Sequence, residues 1–268
     1  MERRRVAQAF WHFSNKSPHG WFGHHLGLTL PQLGGKVDIR NVDKESSLVA
    51  CTVPAWLCNA DGRLCLSSAV ALFDEISTFA GVVPWDRDWR PGASVQLSAQ
   101  AYRPLDVGAG DQVIFESAPV KMGKTLAFVD TQIKDVNGTL LAFARHIKFQ
   151  PMGLAFSLAT MPLLRPLSLP AFEQWLSTLK EHTLEQATCK DRVFPVERWT
   201  QDGSKSEGYV SCTSELGNPI GAMHGGAQVM MATQLARRAL NQQVHTPSAP
   251  LPIKVLFHAV YACMCLSF

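Results

Sequence analysis

Apolar residues fall three and four apart near the start of the chain, at Val6, Phe10 and Phe13 in "RVAQAFWHFSN", a spacing that predicts an amphipathic helix over about 5–14. Short strands are expected near 26–31 and 46–53. A helix over about 66–80, "LSSAVALFDEISTFA", is apolar on nearly every face, the mark of a buried element. The period then drops to two in four runs, "ASVQLSAQAY" (93–102), "DQVIFESAPV" (111–120), "GKTLAFVDTQIKD" (123–135) and "TLLAFARHIKF" (139–149). Val136–Gly138, "VNG", supplies a turn between the last two. One buried helix with an antiparallel sheet able to wrap it is an α+β arrangement.

The same order then begins again. A helix over about 170–187 leads to strands near "RVFPVERW" and "EGYVSCTS", a Gly-rich turn, a second apolar helix and a strand "PIKVLFHAVY". "NADGRLCLSSAVALFDEI" (59–76) lies over "NPIGAMHGGAQVMMATQL" (218–235) without a gap. Asn59 falls on Asn218, Gly62 on Gly221, Cys65 on His224, Leu66 and Ser67 on Gly225 and Gly226, and Asp74 on Thr233. Two copies of one fold are the better reading of this overlay. Between them "PMGLAFSLATMPLLRPLSLP" (151–170) is dense in proline, which ends regular structure. The organisation expected is a first domain over 1–152, a Pro/Leu-rich linker over 153–169 lying against the protein, and a second domain over 170–268.

Composition narrows the class. The 268 residues are 46% hydrophobic and 18% charged, with a net charge of +3, too slight to argue for nucleic acid. No apolar run reaches the roughly 20 residues that span a bilayer. Seven cysteines form no C-x-x-C pair, which fits a reduced, cytoplasmic setting; an Arg-rich, acid-poor start is also compatible with a mitochondrial presequence. Phosphate-loop, G-x-S-x-G and H-x-x-x-H signatures are absent.

Asn-x-x-Gly-x-x-His-Gly-Gly leading into an apolar helix, with an acid twelve residues after the first glycine, is a more telling pattern. It resembles the hotdog-fold acyl-CoA thioesterases of the phenylacetate-pathway and mammalian thioesterase-superfamily type. "DEISTFAG", "ASVQLSAQAYRP", "GKTLAF" and "ARHIKF" in the first half are similar to further pieces of that family. The resemblance covers roughly 5–150 well and 170–262 more loosely. It implies tandem hotdog folds, the second lacking its last strands, and hydrolysis of acyl-CoA to free acid and CoA without a separate cofactor.

Neither half has the family's whole set. The first keeps Asp74 but reads Cys65-Leu66-Ser67 in place of His-Gly-Gly; the second keeps Asn218, His224, Gly225 and Gly226 but has Thr233 at the acid's position. In the family two hotdogs pair back to back and build each site across the pair. The resemblance therefore implies one complete site, with Asn218, His224 and Gly225 facing Asp74, and a reciprocal one of Asn59, Cys65 and Thr233 with no acid.

The chemistry suits these groups. Thioester hydrolysis builds negative charge on the carbonyl oxygen, and free N–H groups at a helix start can receive it. Glycine at 225 and 226 lets an acyl group approach the backbone. The roles that the resemblance implies are general base or nucleophile for Asp74, holding the water for Ser94, and orienting the thioester or water for Asn218. Gly226, Arg145 and Lys148 are the candidates for contacts to CoA, although solvated strand charges are the better reading of Arg145, His146 and Lys148. The substrate carrier is CoA or an acyl-carrier protein. Alternatives are a non-catalytic acyl-binding or scaffold protein and an acyl-thioester hydratase. A second sheet lacking its last strands would leave an unpaired edge, so the expectation is either a shortened form or a chain completed by a partner, with a homo-oligomer as one such pairing.

Overall fold

A computed structural model describes residues 2–15, 38–44, 46–59, 61–102, 105–161, 163–179, 198–202, 205–210, 213, 216–218 and 223–243. The strands expected at 26–31 and 252–261, and with them the extent of the second sheet, lie outside these residues.

The first half is an antiparallel sheet wrapped around a central apolar helix, the hotdog fold. Six strands, β1 (Asp38–Lys44), β2 (Ser46–Thr52), β3 (Ala93–Ala101), β4 (Gln112–Met122), β5 (Leu126–Asp135) and β6 (Leu140–Phe149), stand in the order β1-β2-β4-β5-β6-β3. Alternate residues of the three central strands point inward: Val113, Phe115 and Ser117, then Ala127, Val129, Thr131 and Ile133, then Ala142, Ala144, His146 and Lys148. Gly138, at φ +80°, closes the β5–β6 turn where "VNG" is read as one.

The central helix α2 (Leu66–Ile76) is buried from Ser68 to Ile76 and continues as a π-helical turn, Ser77–Val82. The wider turn leaves backbone carbonyls to be satisfied by side chains. Ser77 and Thr78 hydroxyls reach back to Phe73 and Asp74 carbonyls, and Ser47 donates to the Ala80 carbonyl. A β-carbon at Gly81 would lie 2.8 Å from Val129 Cγ1, so this glycine lets the helix rest directly on the sheet.

The amphipathic start is α1 (Glu2–Asn15), docked through Val6, Ala7, Phe10 and Trp11, all buried. The proline-dense segment departs from the expected linker. It forms two helices, α3 (Leu154–Ala159) and α4 (Arg165–Thr178). Pro166 sits in the first turn of α4, where a missing N–H costs nothing; Pro170 lies inside it. Phe172 of α4 packs on Phe10 and Phe13 of α1 with ring centroids 5.5 and 5.7 Å apart, and Leu169 and Leu176 are buried. Arg5 and Glu173 pair across the same two helices. Aromatic packing thus holds together a helix that proline alone argues against.

Beyond it come a two-stranded ladder, β7 (Arg198–Asp202) with β8 (Lys205–Tyr209), and the helix α5 (Gly225–Gln243). α5 crosses α2 in direct contact: a β-carbon at Gly226 would lie 2.8 Å from Ala71 Cα. The approaches to α2 and α5 share a local geometry at the overlaid positions. Cys58 bridges Leu64 and Gly217 bridges Met223; Cys65 N–H returns to the Leu57 carbonyl, and His224 N–H to that of Leu216. No helix among the described residues is long and apolar enough to cross a membrane.

Candidate active site

Asp74 projects from α2 at the point where α5 begins. Its Oδ2 accepts the Gly226 N–H at 3.0 Å and lies 3.1 Å from His224 Nδ1; its Oδ1 accepts the Ser94 hydroxyl at 2.9 Å. Residues about 150 positions apart are therefore in hydrogen-bond contact, and the carboxylate is 3% exposed.

Local features aim each partner. Gly92 takes φ +63°, and a β-carbon there would meet the Phe149 carbonyl at 2.7 Å, so only glycine lets the chain turn into β3 so closely. An irregularity in the β3–β6 register between Ser94 and Gln96 then aims Ser94 at Asp74. Gly225 is needed for the same reason of space: a β-carbon would lie 2.5 Å from Leu97 Cδ1 and 2.7 Å from Asp74 Oδ2.

Two more residues complete the cluster. Glu75 Oε1 lies 2.7 Å from His224 Nε2, so consecutive acids of α2 face the two nitrogens of one ring. His146, fully buried on β6, contacts Ser94 Oγ through Nε2 at 2.9 Å and Ser77 Oγ through Nδ1 at 2.7 Å. Contacts at hydrogen-bond distance thus link Ser77, His146, Ser94 and Asp74 in turn. Lys148, two residues on and 4% exposed, donates to Thr78 Oγ1 at 2.7 Å.

Charges in this dry cluster follow from their neighbours. Burial pushes Asp74 up, but the charges of His224 and Lys148 and the Ser94 hydrogen bond outweigh it and hold the carboxyl at about 2. Burial drives His146 down to about 3, helped by Lys148, so its ring is neutral. Burial lowers Lys148 to about 8, against the pull of Asp74 and Glu75. Burial also works against a charge on His224, but Asp74 and Glu75 more than offset it and raise its pKa.

The cluster forms one wall of a cavity of about 400 Å³. The other walls are aromatic: Phe10 and Phe13 of α1, Phe79, Trp89, Phe156 of α3, and Phe172 and Trp175 of α4. At the roughly 30 Å³ that a water occupies in the liquid, this is space for about a dozen heavy atoms. Trp89 holds a left-handed backbone, φ 54°, that places its indole in the wall under the Arg165 guanidinium, 4.5 Å away. A strained non-glycine residue lining a cavity is a feature of functional sites.

Of the residues expected from sequence, Asp74, Ser94 and His224 are brought together, and Asn218 lines the same cavity. The glycines differ in use from the expectation. Gly225 and Gly226 admit Asp74, Leu97 and Ala71, groups of the protein itself, and the Gly226 N–H is occupied by Asp74. Among the described residues, the Gly225 N–H has no partner.

Arg145 and Lys148, the side-chain candidates for contacts to CoA, lie on opposite faces of β6 because side chains alternate along a strand. Arg145 is exposed and paired with Asp130 on the outer face, 2.6 Å away, whereas Lys148 is inside the cavity wall, and neither His146 nor Lys148 is solvated. At the reciprocal position, Asn59 Oδ1 accepts Asp61 and Arg63 N–H groups, and the Thr233 hydroxyl bonds its own helix at Val229. Glu75 and the aromatic roof gave no separate signal in the sequence; "DEI" and the leucine-rich stretch read simply as helix and linker.

Neither a protein-family model nor a curated protein matches this chain. Solved structures are similar over about half of it. Zebrafish thioesterase superfamily member 2 is 22% identical at a TM-score of 0.43, covering 53% of this chain and 94% of its own. The Escherichia coli PaaI protein from the phenylacetic acid degradation operon is 20% identical at 0.39, covering 46% and 84%. A hypothetical thioesterase from Streptococcus pneumoniae with coenzyme A is 19% identical at 0.39, covering 44% and 87%.

Proposed function

We propose that the chain is a tandem hotdog protein that hydrolyses acyl-CoA thioesters at one composite site. Asp74 comes from the first half, and Asn218, His224 and Gly225 from the second. The observation that carries this reading is the 3.0 Å contact between Asp74 Oδ2 and the Gly226 N–H at the wall of an apolar cavity. The matched loops before α2 and α5 support the tandem organisation.

In this mechanism the acyl group lies in the aromatic cavity with its carbonyl oxygen at the start of α5. The Gly225 N–H and the positive end of the helix dipole receive the charge that develops there. Asp74 is ionised at any working pH, as both of its candidate roles require. As a base it takes a proton from water as the water oxygen bonds the carbonyl carbon; the carbon–sulfur bond then breaks and the thiolate takes up that proton. As a nucleophile it attacks the carbonyl carbon, the carbon–sulfur bond breaks and the thiolate leaves. Water then cleaves the acyl–aspartyl anhydride, which restores the carboxylate and releases the proton that the thiolate takes up. Ser94 keeps Oδ1 oriented in either route. The reciprocal position, with Cys65 and Thr233, has no acid and is silent.

A second reading, an acyl-thioester-binding protein without turnover, draws on one feature: both Asp74 oxygens are already engaged. A free-thiol release assay over a panel of acyl-CoAs separates the two. Steady thiol release that depends on Asp74 supports hydrolysis. Saturable binding of acyl-CoA without release supports the binding protein.

A further inference from the structure

Each ring nitrogen of His224 faces a carboxylate, the arrangement that favours the imidazolium over either neutral tautomer. Its Nε2 lies 2.7 Å from Glu75 Oε1, and its Nδ1 lies 3.1 Å from Asp74 Oδ2 and 3.0 Å from the Gly226 nitrogen. In a neutral ring one nitrogen is a bare acceptor. If Nε2 carries the single proton toward Glu75, the Nδ1 lone pair faces the Asp74 carboxylate and competes with it for the Gly226 N–H. If Nδ1 carries it, the Nε2 lone pair faces Glu75. The imidazolium donates to both acids and leaves the Gly226 N–H to Asp74 alone.

We propose that Glu75 is a positioning residue of this site. By accepting Nε2–H it holds His224 as an imidazolium, which fixes Asp74 and reserves the Gly226 N–H for it.

The charges around the ring make this arrangement self-consistent. Asp74 and Glu75 face it from α2, Lys148 contributes positive charge from β6, and His146, linked through Ser94, is neutral. Two carboxylates and two cations balance within the cluster, so His224 keeps its proton in spite of being only 4% exposed. Asp74 lies at Nδ1, and Glu75 is the acid at Nε2. Glu75 is thus what distinguishes a charged ring here from a neutral turn-forming histidine. This role rests on the composite reading of the site, but its direct readout does not need turnover.

Glu75→Gln keeps the length and the polar contact and removes the charge. Ring chemical shifts of His224, followed by NMR from pH 5 to 9 in the full chain, should show the imidazolium persisting above the ordinary histidine midpoint of about 6.5. In Glu75→Gln that midpoint should fall by at least one pH unit. The high-pH limb of kcat/KM should move down with it, while KM for acyl-CoA stays within about twofold. A wild-type His224 already neutral at pH 6.5 overturns the proposal without any variant. A titration midpoint unchanged in a folded Glu75→Gln overturns it too. If the ring titrates as stated but no thioester is cleaved, the hydrolase reading fails and the positioning role stands.

Discussion

Adding one methyl group at position 225 tests the crossed site most directly. The β-carbon of Gly225→Ala would lie 2.5 Å from Leu97 Cδ1 and 2.7 Å from Asp74 Oδ2, both inside contact distance. Leu97 ends in a flexible methyl that can rotate away. Asp74 cannot yield without lengthening its bonds to Gly226, Ser94 or His224. Overpacking of this kind costs roughly 1–3 kcal/mol of stability. Loss of one hydrogen bond to a charged group costs about 1.5–3 kcal/mol. Expressed as transition-state stabilisation, that second cost is a fall in kcat/KM of roughly 10- to 150-fold. Thiol release from acyl-CoA measures the rate, and thermal melts measure the stability. In the double variant Gly225→Ala/Leu97→Ala only the Asp74 clash remains, so part of the overpacking cost should return while the rate stays low. A Gly225→Ala protein with wild-type melting temperature and wild-type turnover would refute the reasoning.

Four other outcomes are expected. Asp74→Asn should lower turnover at least 100-fold, on the scale of roughly 10²–10⁴ for a general base, whereas Thr233→Ala at the overlaid position should leave it within about twofold. Equal losses at the two positions would mean two sites. Stability should fall on acidification below pH 6.5, because unfolded His146 binds a proton that the folded chain refuses until about pH 3. At 1.36 kcal/mol per pH unit the loss by pH 4.5 is about 3 kcal/mol; His224, raised instead, is protonated in both states there, and Asp74 adds its own loss only below about pH 4. His146→Gln should flatten this dependence in melts between pH 4.5 and 7. Phe172→Ala opens the aromatic roof, so KM for acyl groups that fill the cavity should rise at least fivefold more than KM for acetyl-CoA. Finally, residues 1–152 expressed alone lack His224 and both α4 aromatics, and vigorous acyl-CoA hydrolysis by that piece would sink the composite site.

Much of the first half was legible one element at a time. Period-two alternation marked β3 to β6, and the all-round apolar character of 66–80 marked α2 as buried, because both signals arise from neighbours along the chain. The overlay of Asn59–Ile76 on Asn218–Leu235 was legible for the same reason, since it compares local order only. Proline in 151–170 misled because its local cost is small beside the burial of Leu169, Leu176 and Phe172, which depends on α1 being there to receive them.

What meets Asp74 was beyond any local rule. The register irregularity at Ser94, the inward phase of His146 and Lys148, and the crossing of Gly226 on Ala71 are set by how whole elements pack. Glu75 looked like an ordinary helix acid until α5 placed His224 against it. Sequence by itself determined which residues carry reactive groups and which faces must be buried. Only the tertiary structure decided their partners and charge states, because both depend on distances and on water exclusion between residues far apart in the chain.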